Sequence, residues 1–243
     1  MTGLGTIINV AAVLLGSMLG LAIKGGLPQR FEHTVTQAVG LSTLFIGLSG
    51  ALEKMLTLLD GTLASQDIMV MVVCLVTGAV IGELINIEAK LERAGSFCKQ
   101  KLLAGRAGHS AEHFVEGFVT STLLFCVGAM TIVGSLQDGL NHNYTLLFTK
   151  SIMDGVMAII LTSSLGIGVA FSILPLALYQ GSITLLAGWI RPFLTDLMIG
   201  RMSLVGSILI FGLGINLLFG KKIKVGNLLP AMFLPIIACL LSF

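Results

Sequence analysis

Lys150 and Asp154 stand four residues apart at the head of a long apolar run, and no other charged pair in the chain is placed so far into one. At i and i+4 the two side chains share a helical face, so the ammonium can neutralise the carboxylate. A carboxylate inside hydrocarbon is costly unless paired or hydrated, which makes Asp154 a candidate protonatable or cation-binding group tuned by Lys150. The competing reading is an interfacial ion pair that anchors a helix end, because lysines there snorkel to the surface. If the hydrocarbon begins near Ser151, Asp154 is expected about 5 Å inside it.

Further along the same run lie Thr162, Ser163 and Ser164, followed by Gly166 and Gly168. Their spacing puts them near the bilayer centre, where such a composition tolerates a helix break that exposes backbone carbonyls to an ion or solute. Alternatively, the hydroxyls bond back to their own helix and the glycines only pack. Asn9, Gln180, Asn216, Gln37 and Asn227 are amides within or near apolar runs, suited to joining helices or to lining a polar path with the hydroxyls. Glu83, at the end of its run, reads as a gate carboxylate or as a solvated helix end. Glu88, Glu92 and Arg93 read as a solvated helical extension with i, i+4 pairing.

His109 and His113 share a helical face beside Glu112 and Glu116, in a polar loop with no further Cys or His nearby, so a metal site is not expected there. Cys74, Cys98, Cys126 and Cys239 show no metal-ligand spacing and read as ordinary thiols. The chain holds no nucleophile elbow, phosphate-binding loop, zinc-protease helix or dinucleotide fingerprint, so neither an enzyme nor a cofactor is expected.

The elements that must position these residues are membrane helices. Hydrophobic residues make up 55% of the 243 and charged residues 11%, against about 25% charged in soluble domains. The 30 glycines fall mostly inside apolar runs, where small residues let helices approach closely in lipid. A net charge of +2 gives no reason to expect a nucleic-acid partner. The expected architecture is all-α: one integral membrane domain over residues 1–243, with a cytoplasmic polar loop at 91–116. Its spans are Leu4 to Ile23, Thr34 to Leu52, Ile68 to Gly82, Gly117 to Gln137, two limbs between Gly155 and Ile190, Met202 to Gly220, and Val225 to Phe243.

The two limbs follow from length. After Asp154 the chain runs 36 residues to Ile190 without a charge, ~54 Å of helix against a hydrocarbon core of ~30 Å. The segment must turn, and Ser172 to Pro175 is the expected place. Two crossings with the N-terminus outside put ten Lys and Arg on the cytoplasmic side and four outside, which satisfies the positive-inside bias. A single crossing weakens that split. About eight membrane segments are therefore expected, seven if the short limb Pro175 to Ile190 is re-entrant, with both termini outside.

A repeat is also expected. LLGSMLG at 14–20 aligns with LVTGAVIG at 75–82, Gly16 on Gly78 and Gly20 on Gly82, and the following runs share wording at Ser42 to Gly47 and Ser121 to Gly128. Both copies run in one direction, as in a parallel duplication of helix pairs. A third echo from Ser203 runs the other way.

GTIIN near the start, LLGSMLG, IGE at 81–83, KSIMD at 150–154, SLGIGV at 164–169 and NLLPA at 227–231 together resemble the bacterial membrane family catalogued as domain of unknown function 554. The resemblance covers essentially the whole chain. It implies a multi-pass protein of the bacterial cytoplasmic (inner) membrane and no particular substrate.

Three functions are compatible with these residues. The first is a small secondary transporter or permease that carries an ion or small polar solute past Asp154, Lys150, Thr162, Ser163, Ser164, Asn9, Gln180 and Asn216. The second is a channel-like pore in a homo-oligomer packed through the glycine faces. The third is a membrane scaffold that contacts its partner through the polar loop.

Overall fold

Exposure in this protein runs opposite to that of a water-soluble one. Ile7, Leu15, Met18 and Leu19 on the first helix lie open, whereas Asn9 and Ser17 between them are fully buried. Helices whose outer faces are apolar and whose inner faces carry the polar groups are built for lipid, where hydrophobicity does not drive helix association and small and polar residues do. The structure, a computed structural model, describes residues 2–24, 29–59, 62–102 and 113–240. Among them six helices are long and apolar enough to cross a membrane, or seven with one bent pair. The protein is an all-α polytopic bundle, apart from a short antiparallel hairpin, β1 (Leu56–Leu59) and β2 (Thr62–Ser65), which joins two of the helices. His109 and Glu112, the middle of the polar loop and the last three residues of the chain lie outside the described residues.

The helices cluster into two compact units. The first comprises residues 1–39, 89–126 and 130–191. It holds α1 (Leu4–Lys24), α5 (Phe114–Cys126), α6 (Ala129–Asn141), α7 (Thr145–Leu165), α8 (Gly168–Phe171), α9 (Ile173–Leu185) and α10 (Ala187–Ile190). Helices α1 and α7 run parallel and touch backbone to backbone. A Cβ on Gly16 would lie 2.3 Å from Gly155 O, and one on Gly20 would lie 2.5 Å from Ile159 O. The glycine faces foreseen as contacts between copies are thus used within the chain. Helices α5 and α6 are bent by 59° about a short break. Gly117 of α5 faces Leu165 at the end of α7, and Gly134 of α6 faces Leu147 near its start. The pair therefore follows α7 in the opposite direction, as a broken span or a re-entrant loop.

The reversal after α7 comes earlier than Ser172 to Pro175. It falls at Gly166, whose φ of 79° and ψ of −160° form a backbone region that only glycine occupies freely. Pro175 instead sits in the first turn of α9, where its missing N–H costs nothing. Thr162, Ser163 and Ser164 consequently lie in the last turn of α7.

The second unit comprises residues 40–88, 127–129 and 192–243. It holds most of α2 (Gln29–Met55), α3 (Ile68–Ile85), α11 (Asp196–Phe219), α12 (Val225–Leu228) and α13 (Leu234–Leu240). Gly40 meets Leu218 and Gly50 meets Ser207, so α2 and α11 are antiparallel. On α3, Gly78 packs on Ala231 and Gly82 on Asn227, where an added Cβ would lie 1.7 Å from the Asn227 carbonyl oxygen. The run expected as a last span from Val225 is a shorter apolar helix, Val225–Cys239, interrupted by a 3-10 turn at Leu229–Met232. Helix α4 (Ile87–Leu102) does not simply extend α3, because Asn86 at φ 54° turns the chain between them.

Candidate functional site

Asp154 is the tenth of the 21 residues of α7, so it lies ~13.5 Å from the helix start and near its middle. The helix reaches back to Thr145, so Lys150 and Asp154 both lie within it and away from its ends. Lys150 is 6% and Asp154 8% exposed. The Lys150 ammonium forms a salt bridge with Asp154 Oδ2 and donates a hydrogen bond of 2.9 Å to Phe125 O. That carbonyl is available because α5 ends one residue later at the break before α6, and Thr131 Oγ1 also donates to it, at 3.3 Å. An ion pair buried this far from either helix end is not the surface anchor that a snorkelling lysine makes.

Two amides complete the cluster. Asn9 Nδ2 of α1 donates to Asp154 Oδ2 at 3.0 Å and to Gln180 Oε1 of α9 at 2.9 Å. Gln180 Nε2 donates to Thr6 Oγ1 at 3.3 Å, and Thr6 Oγ1 lies 3.2 Å from Thr184 Oγ1. Asn9 and Gln180 are fully buried. Four helices thus contribute to one polar chain that runs from Thr184 to the Phe125 carbonyl. Asn9 Oδ1 has no hydrogen-bond partner among the described residues.

Of the residues singled out in the sequence, Asp154, Lys150, Asn9 and Gln180 come together. Thr162 lies further along the same α1 and α7 contact, beside Gly20. Ser163 donates back to Ile160 O at 2.7 Å, and Ser164 is buried in the same turn. Asn216 belongs to the other unit, where Nδ2 donates to Ile223 O and Oδ1 accepts from Lys222 N and Ile223 N. It closes the turn after α11.

Asp138 is the residue that sequence reasoning missed. Directly after the uncharged run Gly117 to Gln137 it reads in the sequence as the start of a short polar loop to Tyr144, yet it lies in α6 and is fully buried. Its carboxylate accepts from Gly3 N at 3.3 Å and Gly5 N at 3.0 Å. These are free N–H groups at the N-terminus of α1, so Asp138 caps that helix and meets the positive end of its dipole. The one available signal was an acidic residue directly after an uncharged run, which also describes a helix end in solvent.

A second charged cluster lies in the other unit, where α3 and α4 meet α12. Asn227 Nδ2 donates to Glu83 Oε2 at 2.7 Å and its Oδ1 accepts from Glu88 N at 2.8 Å. Glu83 pairs with Lys224 at 2.6 Å, and Glu88 pairs with Lys221 at 2.7 Å and accepts from Gly226 N at 3.1 Å. Glu88 is therefore buried and engaged, against the expectation of a solvated extension. Asn86, by turning the chain, is what sends it inward.

A family model described as "Protein of unknown function (DUF554)" matches residues 4–240. The chain is similar to the uncharacterized membrane protein YdfK of Bacillus subtilis (strain 168), 31% identical over 232 residues that cover 95% of this chain and 93% of the relative. It is also similar to the uncharacterized protein YqgA of Escherichia coli (strain K12), 31% identical over 231 residues, with coverage of 95% and 94%. No solved structure matches it significantly.

Proposed function

We propose, for a chain that belongs to the DUF554 family of membrane proteins, a small secondary transporter that moves an ion or small polar solute and is not an enzyme. The observation that carries this reading is the Lys150 and Asp154 pair, buried near the middle of a membrane-crossing helix and joined to Asn9 and Gln180. Ionisable groups at that depth cost several kcal/mol, on the order of 2.5–3.5 each on insertion scales, and those that persist mark ion and substrate paths. One helix break lies beside the pair, after Phe125, whose carbonyl accepts from Lys150. Broken helices beside a buried charge are the usual construction of a transport site.

The accompanying topology is eight segments with both termini outside, in the cytoplasmic membrane of a bacterium. The eighth is the short interrupted stretch from Val225 to Cys239. A duplicated helix plan supports this count. In one unit α7 ends at Gly166 with φ 79° and in the other α11 ends at Gly220 with φ 76°, and each is followed by an interrupted apolar segment that contains a proline, Pro175 or Pro230. Helices α1 and α3 each carry a glycine pair packed on backbone, Gly16 and Gly20 on α7, and Gly78 and Gly82 on the segment that follows α11.

The test is flux into proteoliposomes across a panel of ions and small polar metabolites, for the wild type and Asp154→Asn. The reading expects specific flux in the wild type and a loss of at least tenfold in the variant. Absence of flux across the panel, or flux that Asp154→Asn leaves intact, would overturn it.

A further inference from the structure

The Lys150 ammonium is itself a cation in an oxygen cage. It touches the Phe125 carbonyl and Asp154 Oδ2. We propose that this cage is a binding site for a monovalent hard cation such as Na+, Li+ or K+, and that Lys150 is the tethered resident which the entering ion displaces. The proposal deepens the transport reading and rests on it for its physiological role, but the site can be tested without flux.

The leftover acceptor is the independent observation. Asn9 is fully buried, and its Nδ2 is held by two acceptors, Asp154 Oδ2 and Gln180 Oε1. Flipping the amide would set Oδ1 against both of those oxygens, so the orientation is fixed. Oδ1, without a partner among the described residues, is left within ~5.5 Å of Asp154 Oδ2, since the two amide heteroatoms share one carbon. A buried acceptor that nothing satisfies is costly in lipid as in a protein core. The Lys150 ammonium, though bound to the same carboxylate, does not reach Asn9 Oδ1, so the ion that satisfied it would sit on the Asn9 side of Asp154 Oδ2.

Charge and donor type select the ligand. Carboxylate, amide and backbone carbonyl oxygens suit hard cations and not soft ones. One carboxylate neutralises one positive charge, so it serves either the ammonium or one monovalent ion, and a divalent ion would leave a net charge buried. The two positive charges must therefore compete, and the displaced ammonium has to swing out of the buried site toward solvent when the ion enters.

KSIMDG at 150–155 aligns with RMSLVG at 201–206, Lys150 on Arg201 and Gly155 on Gly206, and the position of Asp154 is Val205 there. Arg201 finds its carboxylate on Asp67, just outside α3, at 2.8 Å. A basic residue early in the helix is common to both, and the mid-helix carboxylate is peculiar to α7.

The experiment measures binding of radiolabelled Na+, with Li+, K+ and choline as competitors, and cation-dependent thermal stabilisation of the purified full-length protein in detergent. Wild type should bind Na+, Li+ or K+ in preference to choline. Lys150→Gln, which keeps the stem and removes the charge, should bind at least tenfold more tightly. Asp154→Asn should lose binding, and Asn9→Ala should bind at least tenfold more weakly. If Lys150→Gln is not monodisperse, the Asn9→Ala shift decides. Equal response to choline, no cation binding in the wild type, or affinity unchanged in both Asp154→Asn and Asn9→Ala would overturn the proposal. Cation binding without flux would leave this site standing and remove the transporter. Flux of a solute with no cation binding would do the reverse.

Discussion

Asn9 Nδ2 lies 3.0 Å from Asp154 Oδ2, a contact between residues 145 positions apart in the chain. The glycines of α1 set its register. Gly16 rests on Gly155 and Ala158, and Gly20 on Ile159 and Thr162, so α1 brings no side chain to these contacts and Asn9 comes within reach of Asp154.

Asn9→Leu keeps the branched shape of the side chain and removes both of its hydrogen bonds. In a lipid-embedded helix leucine is well tolerated, so the variant should fold. Asp154 and Gln180 each lose a donor, worth ~1–3 kcal/mol for buried groups. Specific flux should fall at least tenfold while the amount of protein extracted from the membrane stays within twofold. Unchanged flux would mean that Asn9 only joins the helices.

Gly16→Ala tests the register directly. A Cβ would lie 2.3 Å from Gly155 O, a distance that backbone must yield to. Overpacking of this kind costs ~1–3 kcal/mol, so the thermal midpoint should fall and flux should fall with it as Asn9 leaves Asp154. Gly200→Ala is the control. It sits in α11 with nothing within 4 Å of its would-be Cβ, and a helical Gly→Ala change should stabilise by ~0.5–1 kcal/mol.

How much of this was legible in the sequence follows from period and charge. Uncharged runs and their glycine breaks locate the crossings from Leu4, Thr34 and Ile68 because backbone in lipid must be helical. Lys150 and Asp154 were visible as a pair by spacing alone. Their depth was not, since Thr145 to Phe148 read equally well as loop or helix, and only packing of Leu147 against Gly5 and Gly134 makes them helix. Gly166 and Pro175 both signal a turn, and the choice between them depends on ψ at Gly166, which no spacing encodes. Asp138 and Glu88 read as solvated because a charge at the end of an apolar run usually is. Their burial depends on partners more than 130 residues away, Gly5 and Gly226.

Asp138→Ala should destabilise α1 at its start. Removal of an N-cap acceptor costs ~0.5–2 kcal/mol, and the loss of a carboxylate from the positive end of the helix adds to it. Asp138→Asn retains an acceptor oxygen and should recover most of the thermal midpoint. If both variants lower it equally, the charge and not the hydrogen bonding is what α1 needs. Hydrogen exchange at Gly3 and Gly5 gives the local readout, faster in Asp138→Ala and near wild type in Asp138→Asn.

Asn227 and Lys224 both contact Glu83, yet their removal should differ sharply. Lys224 is largely exposed and so is its partner. Solvent and salt screen such a pair, so Lys224→Ala should leave the thermal midpoint unchanged at physiological ionic strength. Asn227 is 3% exposed, and its Oδ1 accepts the backbone N–H of Glu88, the second residue of α4. Asn227→Ala leaves that buried donor unsatisfied, at ~1–3 kcal/mol, and frees α12 from its place over Gly82. The variant should unfold at a lower temperature, and limited proteolysis should cut first between α3 and α4, near Asn86. Asn227→Asp restores an acceptor for Glu88 N but puts a carboxylate beside Glu83, so it should rescue poorly at neutral pH and better as the pH falls and one of the two carboxylates takes up a proton. Full rescue at neutral pH would show that the bond to Glu88 N alone holds the joint.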